Sequence, residues 1–202
     1  AGSFTTTLDL GSDQIICVGD SVQLDTNLDN TFTFTWFENG NPIPGETNST
    51  YTVTQAGTYS VEAVRGTCTI TDTIVFTDLA VTNPSNLLTC NNGAASYNFN
   101  LITNNEVALG IDSAIYDVFY YESPADIVAN NPIPSGNLTS YSSSGGQTIY
   151  IKIFNTVSGN FCDAVYPFDL IVTNAVVATP PNPISVCEGQ GGTNYTFTNS
   201  TT

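Results

Sequence analysis

The chain contains no histidine and no methionine, and Arg65 and Lys152 are the only basic side chains among its 202 residues. Without histidine, the Ser-His-Asp and Cys-His arrangements of nucleophilic catalysis cannot be built. Its 18 acidic residues give a formal net charge of −16, which would repel phosphate groups, so we expect no nucleic-acid partner. Apolar runs such as residues 175–178 are far too short to cross a bilayer, so no membrane insertion is expected.

The acidic side chains are scattered over predicted turns and strand faces, and no pair of carboxylates is singled out for glycoside hydrolysis. The five cysteines form no Cys-x-x-Cys pair, and a zinc site is not expected without histidine. We therefore predict that the protein is not an enzyme and holds no cofactor.

A calcium site is still possible, because Asp9, Asp13 and Asp20 lie close together in the sequence. Calcium takes several oxygen ligands from converging carboxylates and carbonyls. The ligand spacing of a known calcium loop is absent, however. That absence favours the alternative that these aspartates are solvated turn and edge-strand residues.

Threonine, asparagine, serine, glycine, valine and aromatic residues dominate instead, in short stretches that alternate between polar and apolar. Such residues suit a pleated, half-buried surface, so the pattern predicts an all-β protein. Trp36 stands in the third predicted strand, where the core tryptophan of an immunoglobulin-like sandwich packs. Residues 56–59 end in Tyr59 and have the form of a tyrosine corner. The predicted fold is a tandem of immunoglobulin-like β-sandwich domains, each with one disulfide.

An internal repeat sets the predicted domain organisation. Cys90 is followed by Asn-Asn-Gly and Cys187 by Glu-Gly, and an alternating stretch begins soon after each turn. The length suits two sandwiches of roughly 100 residues each. We therefore predict immunoglobulin-like domains at residues 1–78 and 79–174. Residues 175–202 would be a linker and the start of a third, truncated repeat.

The cysteines allow several pairings. Pairing in sequence order joins Cys17 to Cys68 and Cys90 to Cys162, with one bridge in each predicted domain. Cys187 would then bond to a partner beyond Thr202. Free core thiols, and an intermolecular bond at Cys187, are the alternatives. Disulfides imply an oxidising compartment, so we expect an extracellular or cell-surface location.

Several segments resemble the repeats of very large Bacteroidetes surface proteins. The segments that carry the resemblance are residues 10–24 (which include Cys17-Val18-Gly19-Asp20), Thr35-Trp36, 56–62 and 68–74, then Cys90–Gly93, Thr148–Tyr150, and Cys162 before Phe168-Asp169-Leu170. The resemblance covers most of the chain and implies immunoglobulin-like or PKD-like repeats of Flavobacterium-type proteins. Such proteins are exported by the type IX secretion system, and many are adhesins or gliding-motility components. Similar repeats often carry aspartates after the cysteine, whereas this chain has Asn91-Asn92 and Glu188, which argues against calcium there.

These observations predict a structural and adhesive repeat segment, the stalk or filament of a secreted cell-surface adhesin. Its partners would be the neighbouring repeats of the same chain, and self-assembly into a filament stays open. One alternative is a carbohydrate- or protein-binding module, in which Tyr120 or Tyr121 points outward to surface polysaccharide. Another is an accessory domain of a large secreted enzyme.

Three short sequences resemble the Asp-Ser/Thr motif of Bacteroidetes O-glycosylation. They would place glycans on Ser21, Thr73 and Ser113. Chance matches in a threonine-rich chain are the alternative. The resemblance implies a glycoprotein.

Overall fold

A computed structural model describes residues 7–177 and 185–187, with side chains for residues 7–174. Contacts divide the chain into two compact units, each discontinuous in sequence. Unit 1 combines Ala1–Thr82, Gly110–Val118 and Lys152–Val165, and unit 2 combines Asn83–Leu109, Phe119–Ile151 and Tyr166–Thr202. Within the described ranges, no helix is long and apolar enough to span a membrane. The domain boundaries expected at residues 78 and 174 remain predictions.

Seven strands make up the first strand set. They are β1 (Gln14–Ile16), β2 (Val22–Asp25), β3 (Thr33–Glu38), β4 (Asn41–Pro42), β5 (Thr50–Val53), β6 (Gly57–Arg65) and β7 (Cys68–Asp78). One sheet has the order β1-β7-β6-β3-β4, and the other pairs β2 with β5. The pairing of β1 with β7 is parallel, with Ile16 opposite Asp78. The pairings of β3 with β6 and of β6 with β7 are antiparallel.

The two sheets of the first set pack into one apolar core. Leu24 and Val53 from the smaller sheet join Trp36, Val61 and Ile74 from the larger one. Alternation along β3 and β6 accounts for this arrangement, since successive side chains of a strand face opposite sides of the sheet. The sequence therefore buries alternate apolar residues on each strand and leaves the polar residues between them less buried.

Two signature residues confirm the predicted sandwich. Trp36 is fully buried on β3, and its ring nitrogen donates to the Asn48 carbonyl over 2.9 Å. The Tyr59 hydroxyl donates to the Gln55 carbonyl over 3.1 Å, which is the hydrogen bond of a tyrosine corner. Burial, with the Glu38 carboxylate nearby, raises the pKa of Tyr59 to about 12. The first strand set is an immunoglobulin-like sandwich.

Six further strands repeat this topology. They are β8 (Leu87–Cys90), β9 (Tyr97–Phe99), β10 (Tyr116–Tyr121), β11 (Tyr141–Ser143), β12 (Gln147–Asn155) and β13 (Asn160–Thr173). The sheet order β10-β12-β13-β8 corresponds to β3-β6-β7-β1, and β9-β11 corresponds to β2-β5. As in the first set, the outer pair is parallel, with Cys90 opposite Thr173. The described chain therefore consists of tandem immunoglobulin-like strand sets, as the sequence predicts.

Short helices and one more strand pair complete the described chain. They are α1 (Glu106–Leu109), α2 (Pro124–Val128), the 3-10 turns Leu101–Asn104 and Ser135–Ser140, and the pair β14 (Ala175–Val177) and β15 (Ser185–Cys187). The Ser123 hydroxyl accepts from the Asp126 amide and caps α2.

Candidate functional site

The cysteine pairing differs from the prediction. Cys17, just after β1, is bonded to Cys162 on β13, at a Cα–Cα distance of 5.5 Å and a sequence separation of 145. Both residues belong to unit 1. The predicted pairs Cys17–Cys68 and Cys90–Cys162 are therefore wrong.

The parallel register of β1 and β7 is the physical reason for the difference. Because Ile16 lies opposite Asp78, Cys17 stands at the far end of β7 from Cys68. Ten residues of strand separate Cys68 from Asp78, which is roughly 33 Å at the rise of an extended chain. A disulfide needs Cα atoms within about 7 Å of each other. Cys17 and Cys68 are therefore too far apart in the folded chain to form a disulfide, although they are neighbouring cysteines in the sequence.

Cys68 and Cys90 differ from each other in their bonding state. Cys68 is a free, exposed thiol. Cys90 is disulfide-bonded, although not to Cys162. The prediction that Cys187 pairs beyond Thr202 concerns a side chain that lies outside the described residues.

A buried carboxylate lies in the turn that follows Cys17. Asp20 is only 2% exposed, and its two oxygens accept from Asn155 over 2.7 Å and from Asn160 over 3.2 Å. The amide of Ser21 donates to it over 2.7 Å. Burial alone would raise the pKa of Asp20, but hydrogen bonds from Ser158, Asn160, Ser21 and Asn155 outweigh burial and hold the pKa below its usual value. The acid is therefore ionised and fully paired at neutral pH.

The same turn is fastened to the β12–β13 hairpin by main-chain contacts. The Asp163 amide donates to the Val18 carbonyl over 2.7 Å. Gly19 has a φ of +91°, and a Cβ there would lie 2.5 Å from a carboxylate oxygen of Asp163. Glycine is therefore needed at this position for both its backbone angle and its lack of a side chain. We call this assembly of disulfide, buried acid and close-packed turn the cystine clasp.

A cleft of ≈ 490 Å³ lies beside the clasp, within unit 1. Its lining includes Gln14 and Ile15 of β1, Ser21 and Gln23 at β2, and Val157 of the β12–β13 turn. In the described chain, β1 and β2 each pair with a strand on one side only. Edge strands of this kind carry main-chain N–H and C=O groups that another strand can use. The cleft therefore runs between two open strand edges.

The calcium candidates are not brought together. Asp9 accepts from the Gly11 amide, Asp13 accepts from the Val75 amide, and Asp20 is held by the clasp. Among the described residues, no group of three or more His, Cys, Asp or Glu side chains is placed to hold a metal ion. The structure thus assigns each of these carboxylates a local hydrogen-bonding role.

The expectation of an outward-facing tyrosine at positions 120 and 121 is wrong. Both rings are buried, at 3% and 1% exposure. The Tyr120 hydroxyl donates to the Asn104 carbonyl over 3.0 Å, and the Tyr121 hydroxyl donates to the Asn130 side chain over 3.3 Å. Neighbours on a strand do face opposite ways, but both faces of β10 are covered at this point.

The three residues expected to carry glycans are all exposed. Ser21 begins the approach to β2, Thr73 lies on β7, and Ser113 precedes β10. Their accessibility is compatible with modification, which remains a prediction.

Sequence reasoning missed the residues that complete the clasp. Asn155 and Asn160 flank a four-residue turn, and nothing in their spacing points to Asp20, which lies more than a hundred residues earlier. The Cys17-Val-Gly-Asp sequence was a usable local signal, because a glycine and an acid directly after a cysteine indicate a tight turn. Its partner could not be read from one sequence.

Residues 86–176 match the family model of the Flavobacterium inter-domain disulphide bond domain. The matched segment contains Cys90 and Cys162 and spans the second strand set. The match supports the resemblance of this chain to Flavobacterium-type immunoglobulin-like repeats. No curated protein matches the chain.

The solved structures that the chain matches include immunoglobulin tandems. A mutated fragment of three titin immunoglobulin domains is 14% identical, with 83% of this chain and 65% of that chain covered and a TM-score of 0.34. Sidekick-1 immunoglobulin domains 1–4 are 15% identical, with 89% of this chain and 52% of that chain covered and a TM-score of 0.32. The chain thus spans less than two thirds of either structure.

Proposed function

We propose that this chain is a load-bearing spacer in a secreted protein of the bacterial cell surface, and that it is not an enzyme. The observation that carries the proposal is the Cys17–Cys162 bond, with its sequence separation of 145. Tension applied to the two ends of the chain passes from Cys17 directly to Cys162 through the disulfide. The residues between them lie outside that covalent path, so most of both strand sets is shielded from extension.

Single-molecule stretching tests this role. Tags at the two ends of a Cys90→Ser variant leave Cys17–Cys162 as the bond under test. The contour length gained on unfolding should be about 500 Å shorter under oxidising conditions than after reduction. This value follows from roughly 3.5 Å per residue over the segment that the bond closes. Equal contour gains in the two conditions would refute the proposal. Cys68→Ser serves as the control, because this thiol is free and its loss should leave the oxidised contour unchanged.

The surface chemistry supports a place in an array exposed to solvent. A net charge of −16 keeps neighbouring copies apart and dispersed. In this proposal the spacer links neighbouring repeats of a Flavobacterium-type adhesin exported by the type IX system, extracellularly, as a stalk or filament. Protease shaving of intact cells tests the location. Peptides of this chain should be released from whole cells, and their recovery only after lysis would contradict it.

Glycosylation at Ser21, Thr73 and Ser113 is part of the same proposal. All three hydroxyl-bearing residues are exposed, which modification requires. Intact-mass analysis of native material should give a mass above that of the bare polypeptide. A measured mass equal to that of the bare polypeptide would refute glycosylation at these residues.

A second candidate function, protein binding, is favoured by the cleft beside the clasp. Open strand edges suit an extended polypeptide that adds as a strand. A polysaccharide fits less well, because the aromatic ring in the lining, Tyr116, is only 2% exposed. Asp13 lines the cleft, whereas neither Arg65 nor Lys152 does, so the occupant would be neutral or basic.

A lysine-flanked pentapeptide, Lys-Val-Thr-Val-Lys with blocked ends, probes this binding by NMR titration. The amides of Ile15 and Gln23 should shift, and a glutamate-flanked version should bind at least tenfold more weakly. Val157→Lys should abolish the shifts, because Val157 lines the cleft and is 79% exposed. The matched control is Val128→Lys, at 89% exposure on α2. Equal binding by both peptides would exclude this function.

A further inference from the structure

Cys68 and Cys162 occupy equivalent positions in the two strand sets. In the first set, Ile16 pairs with Asp78, so Cys17 is level with Leu79, eleven residues after Cys68. In the second set, Cys90 pairs with Thr173, eleven residues after Cys162. Each strand set therefore carries one cysteine at the end of its parallel edge strand and one near the β-hairpin at the opposite end of the adjacent strand.

The equivalent cysteines differ in their bonding. Cys162, the hairpin cysteine of the second set, is bonded to Cys17, the edge-strand cysteine of the first. Cys68, the hairpin cysteine of the first set, is a free and exposed thiol. In this bond, a hairpin cysteine joins an edge-strand cysteine that comes earlier in the chain.

We propose that Cys68 forms a disulfide with the edge-strand cysteine of another immunoglobulin-like domain of the same kind, one that precedes it in the full-length protein. This inference rests on the proposed load-bearing function and extends it, since the load would then pass from domain to domain through successive cystine clasps. The partner is recognisable by its chemistry. It is a cysteine at the end of an edge strand with a glycine two or three residues later, as in Cys17-Val-Gly and Cys90-Asn-Asn-Gly.

The surroundings of Cys68 fit such a partner, with one difference in charge. Asp20 is held by Asn155 and Asn160 in the observed clasp. The β6–β7 hairpin instead places Arg65 directly opposite Cys68 in the strand register. Arg65 is exposed and lies over the Phe32 ring at 4.5 Å. An acid in the partner's turn would therefore meet a cation here, in place of two amides.

The bond forms by thiol–disulfide exchange. The Cys68 thiol and the partner thiol lose two hydrogen atoms, one S–S bond forms, and a disulfide oxidant is reduced to two thiols. The oxidant is a disulfide oxidoreductase of the compartment to which the protein is exported, or oxidised glutathione in a refolding buffer. Because Cys68 is exposed, its thiol can react without unfolding of the first strand set.

Non-reducing peptide mapping of the full-length protein from its native source tests the inference. The Cys68 peptide should be linked to a cysteine peptide that is absent from this sequence and carries glycine two or three residues after its cysteine. Alkylation of Cys68 without reduction, or a Cys68–Cys68 link between two copies, would overturn it. The same map reads the Cys17–Cys162 link separately, so failure of the load-bearing proposal is distinguishable from failure of this one.

A substitution in the native protein supplies a second readout. Cys68→Ser should leave one additional thiol, in the partner peptide, that alkylates without reduction, while Cys17–Cys162 stays intact. Thr67→Ser is the matched control in the same exposed hairpin and should leave the map unchanged. An unchanged thiol count in Cys68→Ser would show that Cys68 has no such partner.

Discussion

Asp20 and Asn155 are 135 positions apart in the chain and share a buried hydrogen bond of 2.7 Å. Asn155 also accepts from the amides of Val157 and Ser158, so one side chain both shapes the hairpin turn and holds the acid. The clasp therefore depends on a polar contact as well as on its disulfide.

Replacing Asp20 with asparagine should destabilise unit 1. The substitution keeps the size of the side chain but turns one acceptor into a donor that faces the donating amides of the clasp. Loss of a buried, charge-assisted hydrogen bond should lower the free energy of unfolding by about 1–3 kcal/mol. Urea unfolding of the oxidised protein measures this. Asp117→Asn, at an exposed position on β10, is the control, and an equal loss in both variants would contradict the assigned role.

Acid should remove the contribution of Asp20. Its pKa is lower in the folded chain than the usual value of 3.8, so its stabilisation is complete above that value. It is lost as the pH falls through the folded pKa. The stability difference between the wild type and Asp20→Asn should therefore be constant from pH 7 to about 5 and shrink below about 4. Urea midpoints at several pH values measure it, and a difference that grows on acidification would reverse the assigned sign.

Loss of the clasp disulfide should cost more than loss of any single hydrogen bond. Closing a loop with a sequence separation of 145 is worth about 5 kcal/mol on the chain-entropy model. The double variant Cys17→Ser, Cys162→Ser should approach that loss in thermal or urea unfolding. Cys68→Ser should leave the stability of the isolated chain unchanged, because this thiol is free. A destabilisation by Cys68→Ser as large as that of the double variant would point to a different pairing.

The tyrosine corner should be measurable as one hydrogen bond. Tyr59→Phe removes the hydroxyl proton that the Gln55 carbonyl and the Glu38 carboxylate share, and it leaves the buried ring in place. We expect a loss of about 1 kcal/mol in the free energy of unfolding. Tyr150→Phe, on the half-buried side of β12, is the matched control and should be near neutral.

A buried amide fixes the approach to the second strand set. The Asn104 side chain accepts from the Ser85 amide and donates to the Ser85 carbonyl, both over 2.8 Å, and it is 2% exposed. Asn104→Ala would leave both main-chain groups without their partner, at a cost of about 2–3 kcal/mol. Hydrogen exchange at the Ser85 amide should accelerate. Asn137→Ala, at an exposed position, should change neither quantity.

Structural features that depend on residues adjacent in the sequence, such as turns, could be predicted from the sequence. The Asn39-Gly40 turn between β3 and β4 has φ values of 50° and 79°, as such a dipeptide favours. The burial of Trp36 and Tyr59 could likewise be predicted from local sequence. Trp36 lies in an alternating stretch, and Tyr59 ends a short tyrosine-corner motif.

Features that depend on register between distant strands could not be predicted. The pairing of Cys17 follows from the parallel alignment of β1 with β7, which no periodicity reports. The burial of both Tyr120 and Tyr121 follows from contacts with Asn104 and Asn130, which lie outside their own strand. A single sequence fixes which side chains alternate, but not what covers each face.

The separation of 145 between Cys17 and Cys162 also orders events in time. Because a chain is synthesised from its amino end, Cys17 and Cys68 both exist long before Cys162. Cys68 is also the nearer partner of Cys17 by sequence. Pairing of β1 with β7 then holds the two thiols roughly 33 Å apart. The folded first strand set thus keeps Cys17 away from Cys68 until Cys162 is available.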